Sequence, residues 1–220
     1  MKKKILFPLL WTVMIAACIA ANLFLRSSIS RLDICDQDVL EKATIRTFES
    51  YDALMEENLS VEKLQEDSAY ILRVIFEGVR EPHNTCTFST VRVLDVYKGD
   101  PTLKNTEIYI YEYPYFVEYD STLFYESYHS QNLMSKQEEY ILFLTPFHFP
   151  EIYKPTERES RTYVLLNSYF NKFRISEPIV QPLTGQEQYL DIVGFDILAE
   201  DQRIWDSYLL LRNQIMAFYL

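Results

Sequence analysis

The residues that most often build catalytic loops, metal centres and disulfide frameworks are scarce in this chain. Its 220 residues include 4 glycines, 3 cysteines and 3 histidines. The glycines are too widely separated to form a glycine-rich phosphate loop, and neither a Gly-x-Ser-x-Gly elbow nor a His-Glu-x-x-His helix occurs. His83 and Cys86 alone would leave a tetrahedral metal ion short of ligands. The sequence therefore predicts a protein that is not an enzyme and that holds no metal and no cofactor.

Positive charge is scarce as well. The chain has 21 lysines and arginines against 32 aspartates and glutamates, which gives a net charge of −11 at pH 7. A chain of this sign repels phosphate backbones, so nucleic acid is excluded as a partner. Apolar residues, in contrast, are plentiful. The chain is 48% hydrophobic and contains 17 tyrosines, which is enough for one packed domain.

One apolar run, residues 5–25, is unusually long. It carries no charged side chain, follows three lysines at Lys2, Lys3 and Lys4, and stops at Arg26. As a helix it would be about 32 Å long at ~1.5 Å per residue, enough to cross a bilayer core of ~30 Å. The lysines would stay in the cytoplasm and place the rest of the chain outside. The run therefore predicts an uncleaved signal anchor, and a cell-membrane protein with its C-terminal domain outside.

Two other interpretations of the N-terminus stay open. Ile15-Ala16-Ala17-Cys18 resembles a bacterial lipobox, in which Cys18 would be lipidated and become the first residue. The apolar residues 19–25 argue against this lipoprotein, because such chains usually become polar after the cysteine. A cleavage site that ends at Ala20 or Ala21 would instead release a secreted protein.

Cys35 and Cys86 lie outside the apolar run. In an oxidising compartment this pair would be able to form a disulfide. Closing a loop of about 50 residues in this way would stabilise the fold by roughly 4 kcal/mol in the chain-entropy model. Two free thiols are the alternative.

Hydrophobic periodicity divides the rest of the chain into helical ends and a β-rich centre. Helical spacing predicts a helix from Asp36 to about Glu57, a short helix from Val61 to Glu66, and an amphipathic helix from Asp201 to Leu220. Alternating or β-branched runs predict strands at 70–80, 88–97, 107–113, 140–144, 163–166 and 173–175. Residues 114–138 and 146–162 are predicted to be long loops.

These elements predict a mainly β fold with flanking helices, in which short strands form a small antiparallel barrel. The corresponding divisions are an anchor or lipoprotein signal at 1–26, a spacer with helices at 27–66, a barrel at 67–178, and a C-terminal loop and helix at 179–220.

Three segments carry a resemblance to a known family. They are residues 67–74, residues 88–100 with the turn Tyr97-Lys98-Gly99-Asp100, and residues 139–144. They resemble uncharacterised exported Gram-positive proteins, whose domain is similar to the OB-type barrel of tissue inhibitors of metalloproteinases. The resemblance covers roughly residues 60–175 and implies an OB-like barrel. The inhibitors place an N-terminal cysteine on the target's zinc, and nothing after Arg26 offers that arrangement, so protease inhibition is not implied.

A strip of tyrosines is the candidate binding site. Tyr109, Tyr111, Tyr113 and Tyr115 alternate and would project from one face of a strand, and Tyr119 and Tyr125 follow. Tyrosine combines a large contact area with a polar tip, which suits protein or polysaccharide partners. The alternative is that these side chains cover the helices and fill the barrel wall.

The sequence as a whole predicts a membrane-tethered, extracytoplasmic, non-enzymatic protein that binds a protein or polysaccharide of the cell envelope through this strip. Two alternatives remain. One is an envelope enzyme with a dispersed active site, and the other is a structural subunit that contacts another chain through the C-terminal helix.

Overall fold

A computed structural model describes residues 14, 15, 18, 19, 40–48, 50–83, 85–179 and 181–220. The chain divides into two compact units, Met1–Asp33 and Ile34–Leu220. The predicted anchor at 5–25 lies outside the described residues except for Met14, Ile15, Cys18 and Ile19, whose backbone is helical. Within the described part, no helix has the length and hydropathy that a bilayer crossing requires. The anchor and the lipidation of Cys18 therefore remain predictions.

The second unit is mainly β, and its described residues form nine strands and five α-helices. The strands are β1 (Thr44–Phe48), β2 (Tyr70–His83), β3 (Cys86–Lys98), β4 (Glu107–Glu112), β5 (Tyr115–Tyr119), β6 (Thr122–Tyr128), β7 (Glu139–Pro146), β8 (Thr162–Leu165) and β9 (Lys172–Arg174). The helices are α1 (Tyr51–Glu57), α2 (Val61–Asp67), α3 (Glu157–Ser160), α4 (Tyr189–Ile192) and α5 (Gln202–Tyr219). The prediction of a mainly β fold with flanking helices is confirmed.

Five strands pair in a ring. Its order is β2-β3-β4-β8-β7, and β7 pairs again with β2. Every pair in the ring is antiparallel except β4 with β8, where Tyr109 to Tyr111 run parallel to Thr162 to Val164. The short strand β9 extends the sheet from β7. Every second side chain of β2 points into the ring. Leu72, Val74 and Phe76 are all buried, as their spacing predicts.

Two glycines with positive φ shape the ring, one at a bulge in β2 and one in the turn after β3. The register of β2 against β3 shifts between Phe76 and Val79, where Gly78 has a φ of +102°. Such a bulge bends a strand. At the end of β3, Gly99 has a φ of +110°, and an added Cβ there would lie 2.2 Å from the Tyr70 ring. The turn after β3 therefore requires glycine on both counts.

The C-terminal helix is confirmed as α5. Four of the five side chains at the predicted spacing, Ile204, Tyr208, Leu211 and Ile215, are buried, whereas the fifth, Phe218, is exposed. The four buried side chains join a second core with residues of β7, β9, α1 and α2. The Tyr208 ring stacks on Phe173 with centroids 5.5 Å apart.

The predicted helix from Asp36 to Glu57 is wrong for its middle part. Residues 44–48 form strand β1, which pairs in parallel with β6, and α1 begins only at Tyr51. Ser50 caps that helix by accepting a hydrogen bond from the Ala53 amide at 3.2 Å. The β-branched residues Thr44, Ile45 and Thr47 favour a strand once a partner strand is available. Residues 36–39 lie outside the described residues.

The predicted loop at 114–138 is also wrong in its first half. It contains the hairpin of β5 and β6, which forms a second sheet in the order β1-β6-β5. The hairpin turns at Asp120 and Ser121, both with positive φ. Two-residue turns of this kind usually contain Asn-Gly or Asp-Gly. Because glycine is absent here, the sequence gives no strong hairpin signal.

Candidate functional site

Two of the predicted tyrosines share the outer face of the ring with Phe88. Because Ile108 and Ile110 face inward on β4, Tyr109 and Tyr111 face outward, and both are half-buried. The Phe88 and Tyr109 rings are nearly parallel, at 4°, with centroids 5.5 Å apart. Tyr111 lies 4.9 Å from Phe88. We call Phe88, Tyr109 and Tyr111 the aromatic face.

Aromatic side chains of the loop between β7 and β8 continue this surface. The Phe147 ring lies 5.5 Å from Tyr111 and 4.8 Å from Phe149, which in turn stacks on Tyr153. Ile152 in the same loop is 96% exposed. The aromatic face thus runs into an exposed apolar loop.

Helix α3 in that loop places an arginine over the aromatic face. Thr156 and Glu159 form a capping box that fixes the start of the helix. The Arg158 guanidinium carbon lies 4.8 Å from the Phe88 centroid and 4.9 Å from the Tyr109 centroid. Its Nη2 donates a hydrogen bond to Glu81 Oε1 at 2.8 Å. The arginine therefore makes a cation–π contact with two rings and an ion pair with β2.

A cavity of about 290 Å³ adjoins the arginine. Its lining residues are Glu81, His83, Phe88, Tyr111, Thr156, Arg158, Glu159 and Thr162. The Thr156 backbone N–H, the Tyr153 hydroxyl and the Thr156 hydroxyl together hold the pKa of Glu159 below its usual range. Burial raises the pKa of Tyr111. The cavity therefore combines an aromatic floor with charged groups of both signs.

The other predicted tyrosines lie elsewhere. Tyr113 follows the end of β4, and its hydroxyl donates a hydrogen bond to the Leu165 carbonyl at 2.9 Å. Tyr115 and Tyr119 belong to β5, and Tyr125 to β6, so all three are in the second sheet. Tyr115 and Tyr125 are buried and Tyr119 is 50% exposed. The expectation of one continuous strip is corrected, because the chain leaves the ring after Glu112 and enters the second sheet.

The predicted Cys35–Cys86 disulfide remains a prediction, since Cys35 lies outside the described residues. Cys86 is half-buried, and its thiol donates a hydrogen bond to the His83 carbonyl at 3.2 Å. Burial raises the pKa of this thiol to about 11. As a thiol, Cys86 would therefore be a poor nucleophile at neutral pH.

A buried ionic cluster around Glu112 was not predicted from the sequence. Glu112 accepts hydrogen bonds from Lys172 Nζ at 2.7 Å and from Ser89 Oγ at 2.6 Å, and Arg80 Nη2 lies 3.8 Å away. Burial disfavours the carboxylate, but these neighbours together hold the pKa of Glu112 below its usual range. The available signal was a glutamate at an inward position, two residues after Ile110.

A second buried ion pair joins β9 to the segment before α5. Arg174 Nε lies 3.1 Å from Asp196 Oδ1, and the other carboxylate oxygen accepts the Ile179 amide at 2.9 Å. Burial raises the pKa of Asp196 to about 6, although Arg174 opposes the shift. The folded protein thus holds a proton at Asp196, between about pH 4 and pH 6, that the unfolded chain has released.

This raised pKa predicts a pH-dependent stability. The contribution of Asp196 is fully present below about pH 4 and is lost as the pH rises through about 6. We expect the unfolding free energy of the wild type, minus that of Asp196→Asn, to fall by about 2.5 kcal/mol between pH 4 and pH 7 in urea unfolding. Asp100→Asn is a control with the opposite sign. The Thr102 backbone N–H lowers the pKa of Asp100, so the stability that this carboxylate contributes is lost as the pH falls rather than as it rises. A flat difference for Asp196→Asn would contradict the assignment.

Two larger cavities border the helices. One of about 410 Å³ lies between α1 and α5, and one of about 550 Å³ is lined by Phe48, Tyr128 and His129 among others. Neither contains residues of the aromatic face. In the described part of the chain, no group of three or more His, Cys, Asp or Glu side chains is arranged to hold a metal ion.

Comparison with protein families, with curated proteins and with solved structures finds no match. The site is therefore interpreted from its own geometry.

Proposed function

We propose that the chain is a non-enzymatic binding protein whose partner docks on the aromatic face of β3 and β4. The observation that carries this proposal is the position of the cavity. It lies where three outward aromatic rings meet the turn after β2 and the loop between β7 and β8. Aromatic side chains at the centre of an interface commonly supply most of its binding energy.

The ring of strands supports an OB-type barrel. In such a barrel, ligands bind on the face of the second and third strands and on the loops that follow the first and fourth strands. In sequence order the ring strands are β2, β3, β4, β7 and β8. The second and third are therefore β3 and β4, and the loops after the first and the fourth are the turn near His83 and residues 147–161. The aromatic face and its cavity lie at that place. The tissue-inhibitor barrel remains a resemblance, and no inhibitory activity is proposed.

The proposed setting is the outer side of the cell membrane. Residues 5–25 would tether the domain, with lipidation of Cys18 as the alternative, and the lysines at 2–4 support this orientation. The partner would be a protein or polysaccharide of the envelope. The net charge of −11 argues against nucleic acid.

A structural role in an envelope complex is the second candidate. It is favoured by helix α5, where Leu210 and Phe218 are 64% and 65% exposed, respectively. A partner chain packed on this helix would cover both side chains. The two candidates use different surfaces, so variants on one leave the other intact.

Removing the aromatic face is expected to abolish partner capture. We expect the double variant Tyr109→Ala/Tyr111→Ala to lose more than tenfold of the crosslinked adduct formed with envelope components in intact host cells, because aromatic anchors each contribute ~2 kcal/mol or more. The measurement is formaldehyde crosslinking followed by detection of the chain. The matched control, Tyr119→Ala/Tyr128→Ala, removes two exposed tyrosines of the second sheet. Equal adduct from wild type and the Tyr109/Tyr111 variant, both folded, would contradict the proposal.

A further inference from the structure

The charges around the cavity favour a positively charged ligand. Its lining carries two carboxylates, Glu81 and Glu159, against the single guanidinium of Arg158. That guanidinium is already paired with Glu81 at 2.8 Å. An anionic group would therefore meet an arginine whose charge is already neutralised by Glu81, and the Glu159 carboxylate, which accepts neutral hydrogen bonds but has no ion-pair partner among the described residues. A cation would meet the Glu159 carboxylate and the electron-rich faces of Tyr111 and Phe88.

Arg158 itself shows how a cation fits here. Its guanidinium carbon lies within 5 Å of both the Phe88 and Tyr109 centroids and its Nη2 contacts a carboxylate. A cation over aromatic rings, with a carboxylate beside it, is the usual recognition pattern for arginine and lysine side chains. The protein thus fills the position with a side chain of its own.

The contacts that hold Arg158 are weak enough to exchange. Its side chain is 47% exposed and that of Glu81 is 56% exposed. Exposed ion pairs and exposed cation–π contacts each contribute little. Arg158 also belongs to a helix of only 4 residues, α3, in the long connection between β7 and β8. A side chain from a partner can therefore compete with it without disturbing the ring.

We propose that the aromatic face and its cavity bind an arginine or lysine side chain of a basic protein partner, and that Arg158 occupies this position until the partner displaces it. This inference rests on the proposed function and names the chemistry of its partner. The cavity of about 290 Å³ is the space beside Arg158, at the lower end of the ~300–1,000 Å³ typical of ligand pockets, and displacement of Arg158 would add its position over Phe88 and Tyr109, so the enlarged site suits one side chain. The acidic chain, at −11, also attracts a basic partner over longer distances.

The test uses hexaarginine as the probe and full-length protein in neutral detergent. Calorimetric titration is expected to show binding by the wild type, and three- to tenfold tighter binding by Arg158→Ala, which removes the internal competitor. Arg92→Ala is the matched control. Arg92 lies on β3, and its removal takes away the same charge from an ion pair with Glu77 of similar exposure, 42% for each side chain. We expect this control to change the affinity less than twofold. Tyr111→Ala is expected to weaken binding about tenfold without any change of charge.

Three results would overturn the inference. The first is an equal increase in the affinity for hexaarginine in Arg158→Ala and Arg92→Ala, which would mean that the increase comes from the change in net charge alone. The second is weaker binding of hexaarginine by Arg158→Ala, which would mean that Arg158 contributes to binding rather than competing with the ligand. The third is tighter binding of neutral chitohexaose than of hexaarginine, which would assign the face to a glycan. The proposed function fails separately, when envelope adducts do not depend on Tyr109 and Tyr111.

Discussion

Replacing Glu112 with alanine is expected to lower the free energy of unfolding by about 3–5 kcal/mol. The carboxylate is fully buried and faces Lys172 and Arg80, whose side chains are 5% and 15% exposed, respectively. Its removal leaves both cations in the interior without the carboxylate that lies closest to them. Breaking a buried ion pair on one side is among the most destabilising single substitutions.

The cluster also connects separate parts of the chain. Glu112 Oε2 accepts the Met134 amide at 2.9 Å, and Lys172 Nζ also donates to the Asn132 carbonyl at 2.5 Å. Strand β4, strand β9 and the segment at 132–134 therefore meet at one carboxylate. We infer that the cluster anchors this segment against the ring.

Urea unfolding monitored by circular dichroism measures the effect. Glu107→Ala is the control, because Glu107 is exposed at the start of the same strand and should change stability by no more than ~0.5 kcal/mol. The double variant Glu112→Met/Lys172→Met should recover part of the loss, since it removes one of the uncompensated charges. A cost below ~1 kcal/mol for Glu112→Ala would contradict the assignment of a buried, ionised cluster.

Replacing Tyr125 with alanine is the second large expected effect, a loss of about 3–5 kcal/mol of unfolding free energy. Tyr125 is 0% exposed, and its ring lies 5.0 Å from Phe116 and 4.7 Å from Tyr189. Its hydroxyl donates to Asn132 Oδ1 and accepts the Leu133 amide. The substitution creates a cavity and also leaves polar partners unsatisfied.

Tyr125→Phe separates these two causes. It keeps the ring and should cost only about 1–2 kcal/mol, from the lost hydroxyl contacts. Tyr119→Ala, at an exposed position of the same sheet, should cost less than ~1 kcal/mol in the same urea titration. If Tyr125→Ala were as mild as Tyr119→Ala, Tyr125 would belong to the surface, as the sequence analysis expected.

The ring strands were predictable because their signals are local. Leu72, Val74 and Phe76 alternate with outward residues, and the glycine turn at Gly99 marks the end of β3. The second sheet was not predictable, because β1 depends on parallel pairing with β6, between residues about 80 positions apart, such as Thr44 and Phe124. Before that pairing is known, helical spacing explains residues 36–57 equally well.

The candidate site was predictable only in part. The alternation of Tyr109 and Tyr111 predicted that they share one face. β4 ends at Glu112, shortly before Pro114, and the tyrosines after that proline lie in the second sheet. Arg158 could not be assigned, because it reaches Phe88 only through the tertiary arrangement of a loop 70 residues further along. Glu112 carried a visible signal in its inward position, which the tyrosine pattern around it concealed.

Site-specific photo-crosslinking tests the central claim most directly. A benzophenone side chain replaces Tyr111 in one variant and Tyr119 in another, and both are irradiated in intact host cells. We expect a discrete adduct with an envelope component from position 111 and none from position 119. Adducts from position 119 together with none from position 111 would contradict binding at the aromatic face.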